Sequence, residues 1–176
     1  DAAPRDFAGR VALVTGAGSG MGAATARELA SRGARVVALD RDREALERLS
    51  TSIDDVHTLC SDVSNSACCD DAVATAVAYG GRLDVLVNAA GIILRADAPA
   101  TGDDDWRRML EVNVGGVFYM CRAAVRAMKQ QKRGAIVNFG SIWGDVGAAG
   151  VTAYCASKGA VHQITRSMAL DHADDG

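Results

Sequence analysis

Five short apolar runs divide the chain, and between them apolar residues recur every three or four positions. Val11-Ala12-Leu13-Val14-Thr15, Arg35 to Leu39, Val56 to Cys60, Leu83 to Val87 and Ala135 to Phe139 have the length and apolar content of strands, so each predicts one. The segments between them read as helices. Ala23 to Ala30 follows the first run; Arg43 to Ser50 carries Ala45, Leu46 and Leu49 at helical spacing; a segment capped by Ser64 carries Ala67, Ala72, Val73, Ala76 and Val77. Asp103 to Gln131 is the longest predicted helix, with acids at its start and bases at its end. Gly115-Gly116 weakens it by roughly 1 kcal/mol per glycine relative to alanine, and close packing is the reason to keep them. A loop through Gly144, Gly147 and Gly150 leads to a last helix, Thr152 to Asp171. Strands alternating with helices along the whole chain predict an α/β fold, a doubly wound parallel sheet in a single domain over residues 1–176. Polar Asp1 to Asp6, with Pro4, predicts a loose tail.

Composition narrows the partners. The 176 residues are 49% hydrophobic and 23% charged with a net charge of −3, the profile of a globular protein with no general attraction for nucleic acid. The short basic cluster from Lys129 to Arg133 fits a helix C-terminus. Cys60, Cys68, Cys69, Cys121 and Cys155 are odd in number and lack metal-ligand spacing. They predict a reducing, cytoplasmic setting without a metal, and no apolar run is long enough for a bilayer.

The first run breaks into Gly16-Ala17-Gly18-Ser19-Gly20-Met21-Gly22 before its helix begins. A strand, a glycine turn and a helix N-terminus form a seat for a pyrophosphate, because the backbone can be approached and unpaired N–H groups favour anions. Gly18, Gly20 and Ala23 fit one dinucleotide register and Gly16, Gly20 and Gly22 a wider one; both put phosphate at the same place. Gly16, Ser19, Gly20, Met21 and Gly22 are therefore candidate cofactor contacts. The second run ends in Asp40, where a carboxylate accepts from a ribose 2′-hydroxyl and repels a 2′-phosphate, so NAD is favoured over NADP. Adjacent Arg41 keeps a pairing with that phosphate open.

Tyr154 and Lys158 stand four residues apart and share a helix face. A phenol is a poor base at neutral pH, and a neighbouring ammonium, with the positive ring of an oxidised nicotinamide, stabilises its anion. Ser141, at the tip of the fifth run, can bond a substrate oxygen or serve as a turn residue beside Gly140. Asn113, in an apolar part of the long helix, needs a partner: a buried structural hydrogen bond or an ordered water. Ile93, Leu94, Trp143 and Val146 are candidates for an apolar pocket near Ser141, or for packing.

Taken together, Thr15-Gly16-x-x-x-Gly20-x-Gly22, Asp62-Val63, Asn88-Ala89-Ala90-Gly91, Asn113, Ser141 and Tyr154-x-x-x-Lys158 resemble the short-chain dehydrogenase/reductase family, in its order and over nearly the whole chain. The resemblance implies a Rossmann-like fold and an NAD-dependent exchange between a secondary alcohol and a carbonyl. It implies Tyr154 as general acid/base, Ser141 orienting the substrate oxygen, and Lys158 on the nicotinamide ribose. Asn113 would hold a relay water, Asp62 and Val63 would border the adenine, and Asn88, Ala89, Ala90 and Gly91 would line the cleft. A homodimer or homotetramer paired through the two long helices is also implied.

Two departures stand out. Ala89 replaces a second asparagine, which removes a hydrogen bond that steadies the central sheet. The family continues past the Tyr/Lys helix with further strands and a substrate-covering segment, whereas this sequence stops at Gly176. The expectation is a sheet lacking its C-terminal strands, with the fifth strand a bare edge, in a piece of a longer protein; the alternative is a short form whose edge a partner covers. The rival functional reading is a nucleotide-binding scaffold of the same fold without turnover.

Overall fold

The structure, a computed structural model describing residues 5–176, forms its sheet from the five apolar runs. They are β1 (Val11–Thr15), β2 (Arg35–Asp40), β3 (Val56–Cys60), β4 (Val85–Asn88) and β5 (Ala135–Asn138). All pairings are parallel and the order is β3-β2-β1-β4-β5, so every strand ends at the same rim. The register sets Thr15 beside both Leu39 and Asn88. The crossovers are α1 (Gly20–Ser31), α2 (Arg43–Ser50), α3 (Ser66–Gly80), and the α4–α5 pair, Asp103–Leu110 and Val117–Gln131, with α6 (Thr152–Asp171) after β5.

Alternation along the strands feeds two cores. Leu13, Val37, Leu39 and Leu86 pack with α3, α5 and α6 on one face, while Ala12, Val14, Val36 and Ala38 pack with α1 and α2 on the other. Leu13 is fully buried, worth about 1.5–3 kcal/mol relative to exposure. Buried Asp84 ties the base of the sheet, accepting from the Val11 amide at 3.0 Å and pairing with Arg10 and Arg82 at 3.1 and 2.8 Å.

Several boundaries differ from the sequence reading. α1 starts at Gly20 rather than Ala23, so the last glycines of the turn are already helical. Asn65, not Ser64, caps α3 by accepting from the Ala67 and Cys68 amides, because Asp62 claims the Ser64 amide and hydroxyl. Leu83 precedes β4, its amide and carbonyl taken by the Gln131 side chain at 2.9 and 2.8 Å. The long helix is interrupted by a π-helical turn, Glu111–Gly116. Close packing accounts for Gly116, where a Cβ would stand 2.7 Å from a Val63 methyl.

Residues 1–4 of the expected tail lie outside the described residues, and Asp6 is held by Arg32. β5 is an edge strand with Val137 50% exposed, and a cleft of about 250 Å³ lined by Met128, Ile136 and Met168 opens beside it. No helix among the described residues is long and apolar enough to cross a membrane, and no group of His, Cys, Asp or Glu among them could hold a metal ion.

Candidate active site

The rim where the strands end carries a cleft of about 380 Å³. One wall is the glycine turn. Gly16 has φ +66°, and a Cβ there would meet the Ala90 amide nitrogen at 2.7 Å; a Cβ on Gly22 would meet the Gly16 carbonyl oxygen at 2.1 Å. The missing side chain at Gly22 lets the turn fold back against the start of α1, and the one missing at Gly16 lets it pack on the segment after β4. Ser19 occupies the N-cap of α1 without a side-chain cap bond, and no acid stands in the first turn. The amide groups of that turn are thus left for an anion.

Asp40 closes the neighbouring wall, accepting from the Gly18 amide at 2.9 Å and the Asp42 amide at 3.0 Å. Exposed Arg41 stands beside it in the lining. Asp62 and Val63 line the cleft further on. Burial raises the Asp62 carboxyl, but bonds from Ser64 and the cations Arg108 and Arg41 outweigh it and hold the group below its usual 3.8. Arg108, 3.7 Å from Asp62, is a cleft residue absent from the sequence reading.

Of the Asn88 to Gly91 segment, Ala89, Ala90 and Gly91 line the cleft. Asn88 does not: its side chain is buried, donating to Asn138 at 2.9 Å and facing the Cys121 sulfur at 3.3 Å. It thereby joins β4 to β5, while Thr15 accepts from the Ala90 amide at 3.2 Å and joins β1 to the same segment. The open first turn of α1, the close backbone and the carboxylate at Asp40 fit a dinucleotide along this wall.

Gly91 leads to a second group of residues. A Cβ there would lie 3.3 Å from Asn113 Oδ1 and 3.8 Å from Lys158 Nζ, which puts both side chains at that end of the cleft. Asn113 is wholly buried; Oδ1 accepts from the Ile92 amide at 2.8 Å, and Nδ2 faces the Ile92 carbonyl at 2.9 Å, the Ser157 hydroxyl at 3.0 Å and the Met109 sulfur at 3.1 Å. Ser157, also buried and also missed from sequence, passes this on by donating to the Tyr154 carbonyl at 2.8 Å.

Lys158 Nζ donates to the Phe139 carbonyl at 2.6 Å and stands 5.7 Å from the centre of the Tyr154 ring. The Tyr154 ring also meets Trp143, packed edge-on at 6.1 Å between ring centres. Trp143 belongs to a 3-10 turn, Ile142–Gly144, that Ser141 caps by accepting the Trp143 amide at 3.2 Å. Tyr154 lies against Lys158 and Trp143, Ser141 joins them through the Trp143 amide and Asn113 through Ser157, and none of the five lines the cleft itself. Ile93 and Val146 are 47% and 54% exposed, and Leu94 is partly buried.

Burial holds the Lys158 ammonium below its ordinary 10.5. The unfolded chain then binds more protons than the native one between the lowered value and 10.5, so stability rises with pH across that window. Lys158→Met is expected to flatten that part of the curve, read by urea unfolding at stepped pH; an unchanged slope would show that Lys158 is not its source. Burial likewise pushes the Cys69 thiol up to about 12 and the Cys121 thiol up to about 11, so neither is a nucleophile.

The family model described as short chain dehydrogenase matches residues 10–176. Meso-2,3-butanediol dehydrogenase of Serratia marcescens is 38% identical over 172 residues, covering 97% of this chain and 68% of its own. Galactitol 2-dehydrogenase (L-tagatose-forming) of Cereibacter sphaeroides is 41% identical over 172 residues, covering 96% and 67%. A solved NAD+-bound xylitol dehydrogenase superposes with a TM-score of 0.93 at 37% identity, covering 97% of this chain and 68% of that one. The chain thus spans about two thirds of the length of these relatives.

Proposed function

The chain belongs to the short-chain dehydrogenase family, and on that premise we propose that it is an NAD-dependent oxidoreductase interconverting a secondary alcohol and a carbonyl, with Tyr154 as the general acid/base. The observation that supports this most is the run of contacts from the glycine turn, through Ala90 and Gly91, to Lys158 and Tyr154. On this reading the cleft wall that would seat the phosphates leads, by way of Gly91, to the lysine beside the phenol.

When bound, the dinucleotide supplies the hydride acceptor or donor. Gly16, Ser19, Gly20, Met21 and Gly22 would hold its phosphates, Asp40 its adenosine ribose, and Asp62 and Val63 its adenine. In the oxidising direction the Tyr154 phenolate takes the alcohol proton, and in reduction it returns it. The Lys158 ammonium stabilises that phenolate. One of its protons is committed to Phe139, and two remain for a ribose hydroxyl. Ser141 accepts from Trp143, which leaves its own O–H to donate to the substrate oxygen. Trp143, edge-on to the phenol, would wall the substrate there. Asn113 holds the Ile92 backbone against α6, so the segment after Gly91 and the Tyr154 turn keep a fixed separation. The names of the relatives point to vicinal diols and sugar alcohols as first substrates.

Calorimetry with NAD beside an oxidation screen of meso-2,3-butanediol, galactitol and xylitol tests the reading. Turnover of any one supports it; NAD binding without turnover supports the scaffold instead. The Asp40 carboxylate opposes a 2′-phosphate, and we expect NAD to be preferred over NADP by on the order of tenfold or more. Asp40→Asn keeps an acceptor for Gly18 but loses the charge, and is expected to narrow that preference. An equal preference in the two proteins would move the discrimination to Arg41 or Arg108.

A further inference from the structure

α6 grips the tip of β5 with three side chains. Lys158 donates to the Phe139 carbonyl at 2.6 Å, Thr165 accepts from the Asn138 side chain at 2.9 Å, and His162 Nε2 accepts the Ser141 amide at 3.3 Å. Positions 158, 162 and 165 lie at helical spacing and share one face. The first of these is already placed in the site. His162 has no role so far, yet it is the one that meets the serine.

One tautomer of the neutral ring suits both of its partners. His162 Nδ1 lies 3.0 Å from Asp145 Oδ1, and a carboxylate can only accept, so Nδ1 carries the proton. In the neutral ring Nε2 then has a free lone pair, and the Ser141 N–H points to it. Arg166, one turn along α6, stands 3.6 Å from the same Asp145 oxygen and keeps that carboxylate on the helix. Glycines make the space. A Cβ on Gly140 would stand 2.4 Å from His162 Nε2, and one on Gly144 would stand 2.8 Å from His162 Cε1. The ring therefore fills a slot between two residues without side chains, one on each side of Ser141.

We propose that His162, oriented by Asp145, is a positioning residue: it fixes the Ser141 backbone so that the hydroxyl faces the substrate oxygen beside Tyr154. The proposal rests on the reading of Ser141 as the residue that orients that oxygen. Ser141 also caps the 3-10 turn that carries Trp143, so an unanchored amide would loosen Trp143 against the phenol as well.

His162→Leu removes the acceptor, and His162→Gln returns one near the position of Nε2. In His162→Leu, hydrogen exchange at the Ser141 amide is expected to accelerate about tenfold and kcat to fall about tenfold, with KM for NAD within about twofold of the parent. His162→Gln should recover both to within about threefold. In a Ser141→Ala background, His162→Leu should cost no further turnover, because the two act as one unit. Parental exchange at Ser141 in His162→Leu, with turnover depressed in Ser141→Ala, overturns the clamp while leaving the serine's role intact. Full turnover in Ser141→Ala alone overturns that role and the proposal with it. A loss that multiplies in the double variant also overturns it, because His162 would then act elsewhere.

Discussion

Tyr154→Phe is expected to lower kcat for a secondary alcohol by about a thousandfold, within the range that a positioned acid or base contributes. NAD affinity and unfolding midpoint should stay near the parent. The substitution takes away one oxygen and nothing else. The ring contacts at Trp143, 6.1 Å between centres, and at Lys158, 5.7 Å from the ammonium, survive in phenylalanine. The bond that ties Tyr154 to Ser157 runs through the backbone carbonyl and survives too. A stability effect therefore cannot mimic a chemical one. Stopped-flow traces of NADH formation separate the proton-transfer step from product release, and calorimetry reads the cofactor. Turnover in Tyr154→Phe within tenfold of the parent would sink the assignment. Loss of NAD binding would instead make the phenol part of the cofactor seat.

The sheet was legible because a strand covered on both faces reads as an unbroken apolar run, as in β1, where Leu13 enters one core and its neighbours Ala12 and Val14 the other. What escaped were choices made by residues far along the chain. Leu83 has the apolar character of a strand residue, but Gln131, 48 positions away, imitates a neighbouring strand and takes its amide and carbonyl. Ser64 and Asn65 are both good caps, and the contest is settled by Asp62, which occupies the serine first.

The same holds for the site. Tyr154 and Lys158 are readable because their partnership lies within one helix turn. Arg108, Ser157 and His162 acquire a role only through Asp62, Asn113 and Ser141 on other elements. A histidine eight residues after a tyrosine carries no signal of its own. The two glycines flanking Ser141 were visible, but what they make room for was not.

Gly22→Ala should damage both the fold and the cofactor seat, and it tests whether they are one structure. The new methyl carbon would stand 2.1 Å from the Gly16 carbonyl oxygen and 2.7 Å from its carbon, both backbone atoms that cannot rotate aside. Either α1 moves off the sheet, disturbing buried Ala23, Ala26 and Leu29, or the turn opens between Gly16 and Ser19. Overpacking of this kind costs about 1–3 kcal/mol, so the unfolding midpoint should fall. The N–H groups of the first helical turn would also leave the cleft, and each 1.36 kcal/mol lost there is about tenfold in affinity. NAD binding is therefore expected to weaken at least about tenfold, in calorimetry at a temperature where the variant is folded. Gly81→Ala supplies the comparison. Gly81 ends α3 at φ +79° with no atom near its would-be Cβ, so alanine there brings only backbone strain of about 1–2 kcal/mol. It should lose stability and keep its NAD affinity. If Gly22→Ala behaves as Gly81→Ala does, the glycine turn shapes the sheet but does not hold the phosphates.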